Sequence, residues 1–224
     1  MKSFLATTLA ALVFTFTASA DWVIESKIES PHMNTATTTK VKGDKVRSDI
    51  ASGPMGAMSS IIDAATGDSV QLLHGQKMAM KTSAAQLKQA MEMAKGLSGA
   101  KAGTEPVKPQ ASGEKEKIGD YSCEIWTWTD GNSVSKFWIA AGHPQAAALK
   151  EVEKKMRGGA LGGMQMGPDM SSLPGPALKT EMTAMGMKTT VTILSIKEQA
   201  VDAKEFDVPA DYQSMAMPAL PGAK

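Results

Sequence analysis

The sequence predicts a mainly β, α+β protein, and three observations predict it. About six short strand-like segments crowd into residues 21–81, an aromatic-rich hairpin spans Ile118 to Ala141, and amphipathic helical stripes follow each of them. Short strands at that spacing mark an antiparallel meander.

The chain opens with a secretory leader. Lys2 supplies its charge, Phe4 to Phe16 its apolar core, and Ala18-Ser19-Ala20 the small-x-small pattern that puts cleavage between Ala20 and Asp21. That core is shorter than the roughly 20 apolar residues a spanning helix needs. The expected mature protein is exported to the periplasm, without a stable membrane anchor.

Asp21 to Ser30 alternates: Trp22, Ile24 and Ile28 share one face, and Glu25, Lys27 and Glu29 the other. Threonine-rich Asn34 to Lys42 reads as a strand, turned by Gly43-Asp44 into Lys45 to Ala51. Met58 to Ala65 follows, and then Ser69 to His74 and Lys77 to Lys81 around Gly75-Gln76. A helix should begin after Ser83, with Gln86 completing a capping box and Ala84, Leu87, Met91 and Ala94 forming its stripe. Residues 97–115 mix Gly, Pro, Lys and Glu without apolar periodicity and read as a flexible linker.

The hairpin holds three of the four tryptophans and the only cysteine, with Asp130-Gly131-Asn132 as its turn. One face carries Glu124, Trp126, Trp128, Ser133, Ser135, Phe137 and Ile139; the other carries Tyr121, Cys123, Ile125, Val134, Lys136 and Trp138. Apolar groups on both faces require cover on both sides, or a cavity under one. Pro144 suits the first turn of a second helix with Leu149, Val152 and Met156 buried and a Glu151–Lys155 pair exposed. Residues 157–176 form a Gly/Met-rich loop. Leu178 to Ala184 and Lys188 to Lys197 read as strands, Phe206 to Pro209 as a last edge strand, and residues 214–224 as a disordered tail. Residues 21–213 make one domain.

The formal charge of +1 falls to 0 once Lys2 leaves with the leader. A neutral, mixed surface excludes an electrostatic footprint for nucleic acid. Catalysis is poorly supported: His32, His74 and His143 fall in separate turns, the carboxylates are scattered, and glycine-rich 158–167 lacks the Lys-Ser/Thr of a phosphate loop. No cofactor is expected. Cys123, alone, reads as a small buried apolar residue.

Methionine is the outlier, with 17 in the chain. Five Met-x-Met pairs include Met78/Met80, Met164/Met166 and Met185/Met187. Thioethers fill irregular apolar space, but they also select Cu(I). Met78, Met80, Met185 and Met187 are therefore the alternative copper ligands.

Several blocks occur together and in order: Lys42-Gly43-Asp44-Lys45-Val46-Arg47, Ile61-Ile62-Asp63 with Thr66-Gly67, Lys77 to Met80, Ile118 to Ile125, and Phe206 to Tyr212. They resemble an uncharacterised family of exported bacterial proteins, similar to the periplasmic lipoprotein carriers of the LolA type. The resemblance implies a curved antiparallel sheet, a half-barrel of about 10–11 strands, with two or three helices over its concave side. It also implies lipid or acyl chains held between sheet and helices. Where the carriers have an Arg-basic-Pro strand motif, this chain has Arg47-Ser48-Asp49.

The expected function is non-enzymatic binding of a hydrophobic ligand, a lipid or a lipidated protein, by a monomer. Its expected site is Trp22, Ile24, Trp126, Trp128, Phe137, Met164 and Met166. The alternatives are the Met-based Cu(I) binder and an interaction module without a small ligand.

Overall fold

The computed structural model describes residues 20–53, 55–90, 108–130, 133–158, 168, 170, 173–184 and 186–216. Twelve strands form one open, curled sheet in the order β12-β6-β5-β4-β3-β2-β1-β11-β10-β9-β8-β7. The first six are β1 (Trp22–Ser30), β2 (Met33–Lys42), β3 (Lys45–Ile50), β4 (Met58–Asp63), β5 (Ser69–Leu73) and β6 (Met78–Thr82). The rest are β7 (Gln110–Ile118), β8 (Tyr121–Asp130), β9 (Ser133–Ile139), β10 (Ala177–Ala184), β11 (Met187–Glu198) and β12 (Gln213–Ala216). All neighbours pair antiparallel except β12, which lies parallel to β6. Two helices are described, α1 over residues 84–90 and α2 (Ala146–Gly158).

The meander follows the alternation read from the sequence, and its turns follow the glycines. Gly43 adopts φ +54° between β2 and β3, which only glycine takes without strain. The capping box of α1 forms as the spacing predicts. Ser83 N donates to Gln86 Oε1 (2.9 Å) and Gln86 N donates to Ser83 Oγ (3.2 Å). Met91 and Ala94 of the expected stripe lie outside the described residues.

Three expectations need correction. Residues 110–115, read as the end of a linker, belong to β7. Ala111 to Lys117 of this strand are exposed and it has no apolar alternation; main-chain pairing to β8 holds it, with a register shift around Gly113 at φ +79°. Phe206 to Pro209 is not a strand. Ala203–Phe206 is a 3-10 turn whose start is capped by the Asp202 side chain, which accepts from Lys204 N. Residues 214–216, read as tail, lie in β12. The sheet thus has twelve strands against the expected 10–11.

Both faces of the sheet are covered. On the inner face, Ile24, Val41, Val46 and Ile62 pack in one core cluster with Leu149 and Val152 of α2. On the outer face, Ile61, Leu72 and Ala79 pack with Val201 and Phe206 of the C-terminal segment. The hairpin is buried on both sides as well. Cys123, Ile125 and Trp138 join the main cluster, while Trp128, Phe137 and Ile139 pack with Leu173. Lys155 of α2 donates to the Gly43 carbonyl (2.6 Å).

Candidate functional site

Between the inner face and α2 lies a cavity of about 690 Å³, well inside the ~300–1,000 Å³ of small-molecule sites. The sheet supplies Ile24 and Ile28 of β1, Ile50 of β3, Met58 of β4, Phe137 of β9, and Val191 and Ile193 of β11. Leu149, Val152 and Met156 roof it, three positions of one helical stripe, with Met170 and Pro176 beside them. These side chains meet because residues paired across a ladder share a face: Ile28 opposes Val191, and Ile50 opposes Met58. Polar groups interrupt the lining at Ser26, Thr37, Thr39, Ser48, Ser60, Gln71, Thr180 and Glu153.

The residues expected from sequence are distributed unevenly around this space. Ile24 and Phe137 line it. Trp128 is 9% exposed and packs with Phe137, Ile139 and Leu173; Trp126 packs against that cluster, its indole N–H donating to Glu124 (3.2 Å). Both tryptophans buttress the cavity from the same face without lining it. Trp22 lines a separate, smaller cavity of about 330 Å³ with Val41, Ala147 and Lys155. Met164 and Met166 lie outside the described residues, as does Met185. Met187 is exposed on β11, six strand positions in sheet order from Met78 and Met80 on β6. The register sets Met215 of β12 beside Met80. Among the described residues, no three His, Cys, Asp or Glu side chains cluster to hold a metal.

Pro176, at the end of the Gly/Met-rich loop, lines the cavity. Gly175 packs so closely on β9 that a Cβ there would meet the Ala140 carbonyl oxygen at 2.5 Å. Ala140 N donates to Pro176 O (3.0 Å) and Lys150 Nζ to Leu173 O (2.9 Å). This end of the loop is a fixed wall.

A polar network on the outer face escaped the sequence reading. Ser59 donates to Asp49 (2.5 Å), and Arg47 donates to Asp49 (2.7 Å), to Ser59 (3.1 Å) and to the Glu205 carbonyl (2.5 Å). His74 Nε2 lies 2.7 Å from Ser59 Oγ, and His74 Nδ1 lies 2.6 Å from the Tyr212 hydroxyl. The proton directions follow from the inventory of donors. The one proton of Ser59 goes to Asp49, so Nε2–H donates to Ser59 and Nδ1 accepts from Tyr212. A nucleophilic serine would give its proton to the imidazole; this one, 1% exposed, receives one. The network fastens the C-terminal segment to β3–β5.

Other perturbed groups are structural. Burial pushes the Cys123 thiol up, and Glu116 adds to that against a backbone hydrogen bond near Ile118. Burial pushes His143 down; its Nδ1 accepts from Gln145 N (3.1 Å) and its ring contacts Tyr121 at 4.3 Å between centroids. At Asp21 burial raises the carboxyl, but the Lys42 ammonium at 2.6 Å and the Val201 amide outweigh it, leaving it below the ordinary aspartate value.

Fold and site together define a curled-sheet protein with an apolar chamber beneath a helix. Residues 22–212 match the family described as a domain of unknown function, DUF4412, and the chain belongs to that family. No curated protein matches the chain. Among solved structures, PNGF-II is similar at 14% identity and TM-score 0.45, over 89% of this chain and 32% of that one. The chain thus spans about a third of PNGF-II. Mycobacterium tuberculosis lipoprotein LppX is similar at 10% identity and TM-score 0.42, over 80% of this chain and 88% of that one. A LolA superfamily protein from Nitrosomonas europaea is similar at 12% identity and TM-score 0.32, over 86% and 91%. Among the described residues no helix is long and apolar enough to cross a membrane.

Proposed function

We propose that this protein is an exported, non-enzymatic binder that holds a hydrophobic ligand, a lipid, an acyl chain or the acyl group of a lipidated protein, between its sheet and α2. The observation that carries the reading is the 690 Å³ cavity, whose walls are mostly apolar, with isoleucine, valine, methionine and phenylalanine side chains from both sheet and helix side. Each CH2 moved from water into such walls contributes about 0.8 kcal/mol, so a medium-length acyl chain supplies ample affinity. The secretory pattern around Ala18-Ser19-Ala20 supports a periplasmic setting. The outer-face serine–histidine contact supports a latch and not a hydrolase, because its proton direction is reversed. Native mass spectrometry of protein purified from its own cell envelope tests the reading. Adducts of lipid mass that disappear on delipidation are expected; a chain that never carries one contradicts it.

The copper alternative gains one specific observation. Met80 and Met215 lie side by side on β6 and β12, with Met78 two residues from Met80 on the same face. Three thioethers there suit Cu(I) better than a set that includes Met187. Titration with Cu(I) against a competing chelator tests it, and an affinity no tighter than micromolar removes it.

A further inference from the structure

We propose that the cavity takes an uncharged amphiphile, a hydrocarbon joined to an ester, amide or hydroxyl group, in preference to a fatty-acid anion or a bare hydrocarbon. The inference rests on the hydrophobic-ligand reading and narrows it.

The cavity floor is not uniformly apolar. Strand register places Thr39 opposite Ser48, Ser48 opposite Ser60, and Ser60 opposite Gln71. Paired residues share a face, so these four form one continuous polar row across β2, β3, β4 and β5. All four line the cavity, with Ile50 and Met58 in the next row. Thr39 and Ser48 share a single hydrogen bond of 3.1 Å between their hydroxyls. A hydroxyl has one donor and two acceptor positions, so both keep capacity. Ser60 and Gln71 make no side-chain hydrogen bond to the described residues, and no fully buried side-chain polar atom among those residues lacks a partner. Their polar atoms are therefore open to the cavity.

A ligand that displaces water from this row must replace its hydrogen bonds or leave them unmade, and unmade ones oppose binding. Bare hydrocarbon cannot replace them. A carboxylate could accept from the hydroxyls, but the described lining contains no lysine, arginine or histidine to balance its charge. A buried charge without a counter-ion is disfavoured far more than a neutral polar group. An ester accepts, and a hydroxyl or amide both donates and accepts, which suits a row of Ser, Thr and Gln. The hydrocarbon then lies along Ile50, Met58 and the α2 stripe.

Displacement of the uncharged fluorophore N-phenyl-1-naphthylamine from the full chain tests this. The competitors are monolauroylglycerol, laurate and dodecane below any micelle-forming concentration, at neutral pH. Monolauroylglycerol should compete at a concentration about tenfold or more below that of laurate, a difference of about 1.4 kcal/mol. Ser60→Ala with Gln71→Leu should shrink that preference, read as the ratio of the two competitors' half-displacement concentrations in the same variant; Thr39→Val, which keeps the side-chain shape, is the second variant. Laurate competing as well as the glyceride, or a preference unchanged in both variants, overturns this inference and leaves the cavity reading standing. A fluorophore that never binds removes the cavity reading itself.

Discussion

The imidazole of His74 is hydrogen-bonded through Nδ1 to the Tyr212 hydroxyl at 2.6 Å, across 138 residues of chain. Its other nitrogen reaches Ser59, and through Ser59 the Asp49–Arg47 pair. The C-terminal segment is thereby latched over the outer face of β3–β5, where Phe206 is buried against the sheet.

Tyr212→Phe keeps the ring and removes the hydroxyl, leaving Nδ1 of His74 without its donor. A loss of about 1–2 kcal/mol is expected for a partly buried hydrogen bond of this kind. Urea unfolding followed by tryptophan fluorescence measures it, and His74→Ala should destabilise at least as much. Equal stability in both variants would show that the latch does not hold the segment.

Stability should fall in two steps on acidification. His143 is held below the ordinary value of 6.5, so the unfolded chain takes up its proton first. The stability tied to a neutral His143 is present above about pH 6.5 and drains away as the pH falls below it. Asp21 is held below the ordinary 3.8, so its ion pair with Lys42 contributes above that value and is lost as the pH falls through the lowered one. Asp21→Asn should therefore destabilise at neutral pH, and the difference from wild type should shrink as the pH falls through the lowered carboxyl value. Thermal unfolding across the pH range shows both effects.

Much of the fold was legible in the sequence, for identifiable reasons. β1 to β6 alternate or carry β-branched residues, and Gly43 and Gly75 mark two of their turns. The aromatic hairpin and the Leu149–Val152–Met156 stripe placed a sheet and its covering helix together. β7 was not legible because Gln110 to Lys117 is exposed throughout, with no buried side chains to set a period; its only side-chain ties are polar, Ser112 to the Ile125 carbonyl and Glu116 to the Trp138 indole and Lys179. β12 was hidden because a parallel pairing of β6 with residues about 135 positions later has no local signal. Of the site, Ile24 and Phe137 follow from face assignment. The polar row could not be read, because Thr39, Ser48, Ser60 and Gln71 align only once the register of four strands is fixed. The Ser59–His74–Tyr212 contacts join three remote segments and share no motif.

Cys123 should be inert in the folded protein. It is fully buried, and burial raises its thiol further from the reactive thiolate. Reaction with a chromogenic disulfide reagent should await denaturant and then go to one thiol per chain. Rapid modification under native conditions would contradict the packing of β8.

Gly175→Ala should destabilise by roughly 1–3 kcal/mol, because the added Cβ meets backbone of Ala140 and Ala141 and not a movable side chain. The same change at Gly142, where a Cβ meets nothing within 4 Å, should be nearly neutral. The unfolding midpoints of the two variants measure the difference.

If the space beneath α2 is a binding site, filling it must abolish binding. Saturable fluorescence of N-phenyl-1-naphthylamine, titrated into the delipidated protein and into Val191→Trp, tests it most directly. Val191 lines the cavity, and an indole there fills space that is open in the wild type, so the variant should fold. One saturable site per wild-type chain and none in Val191→Trp is the expected result. No saturable binding in the wild type, or equal binding in the folded variant, would contradict it.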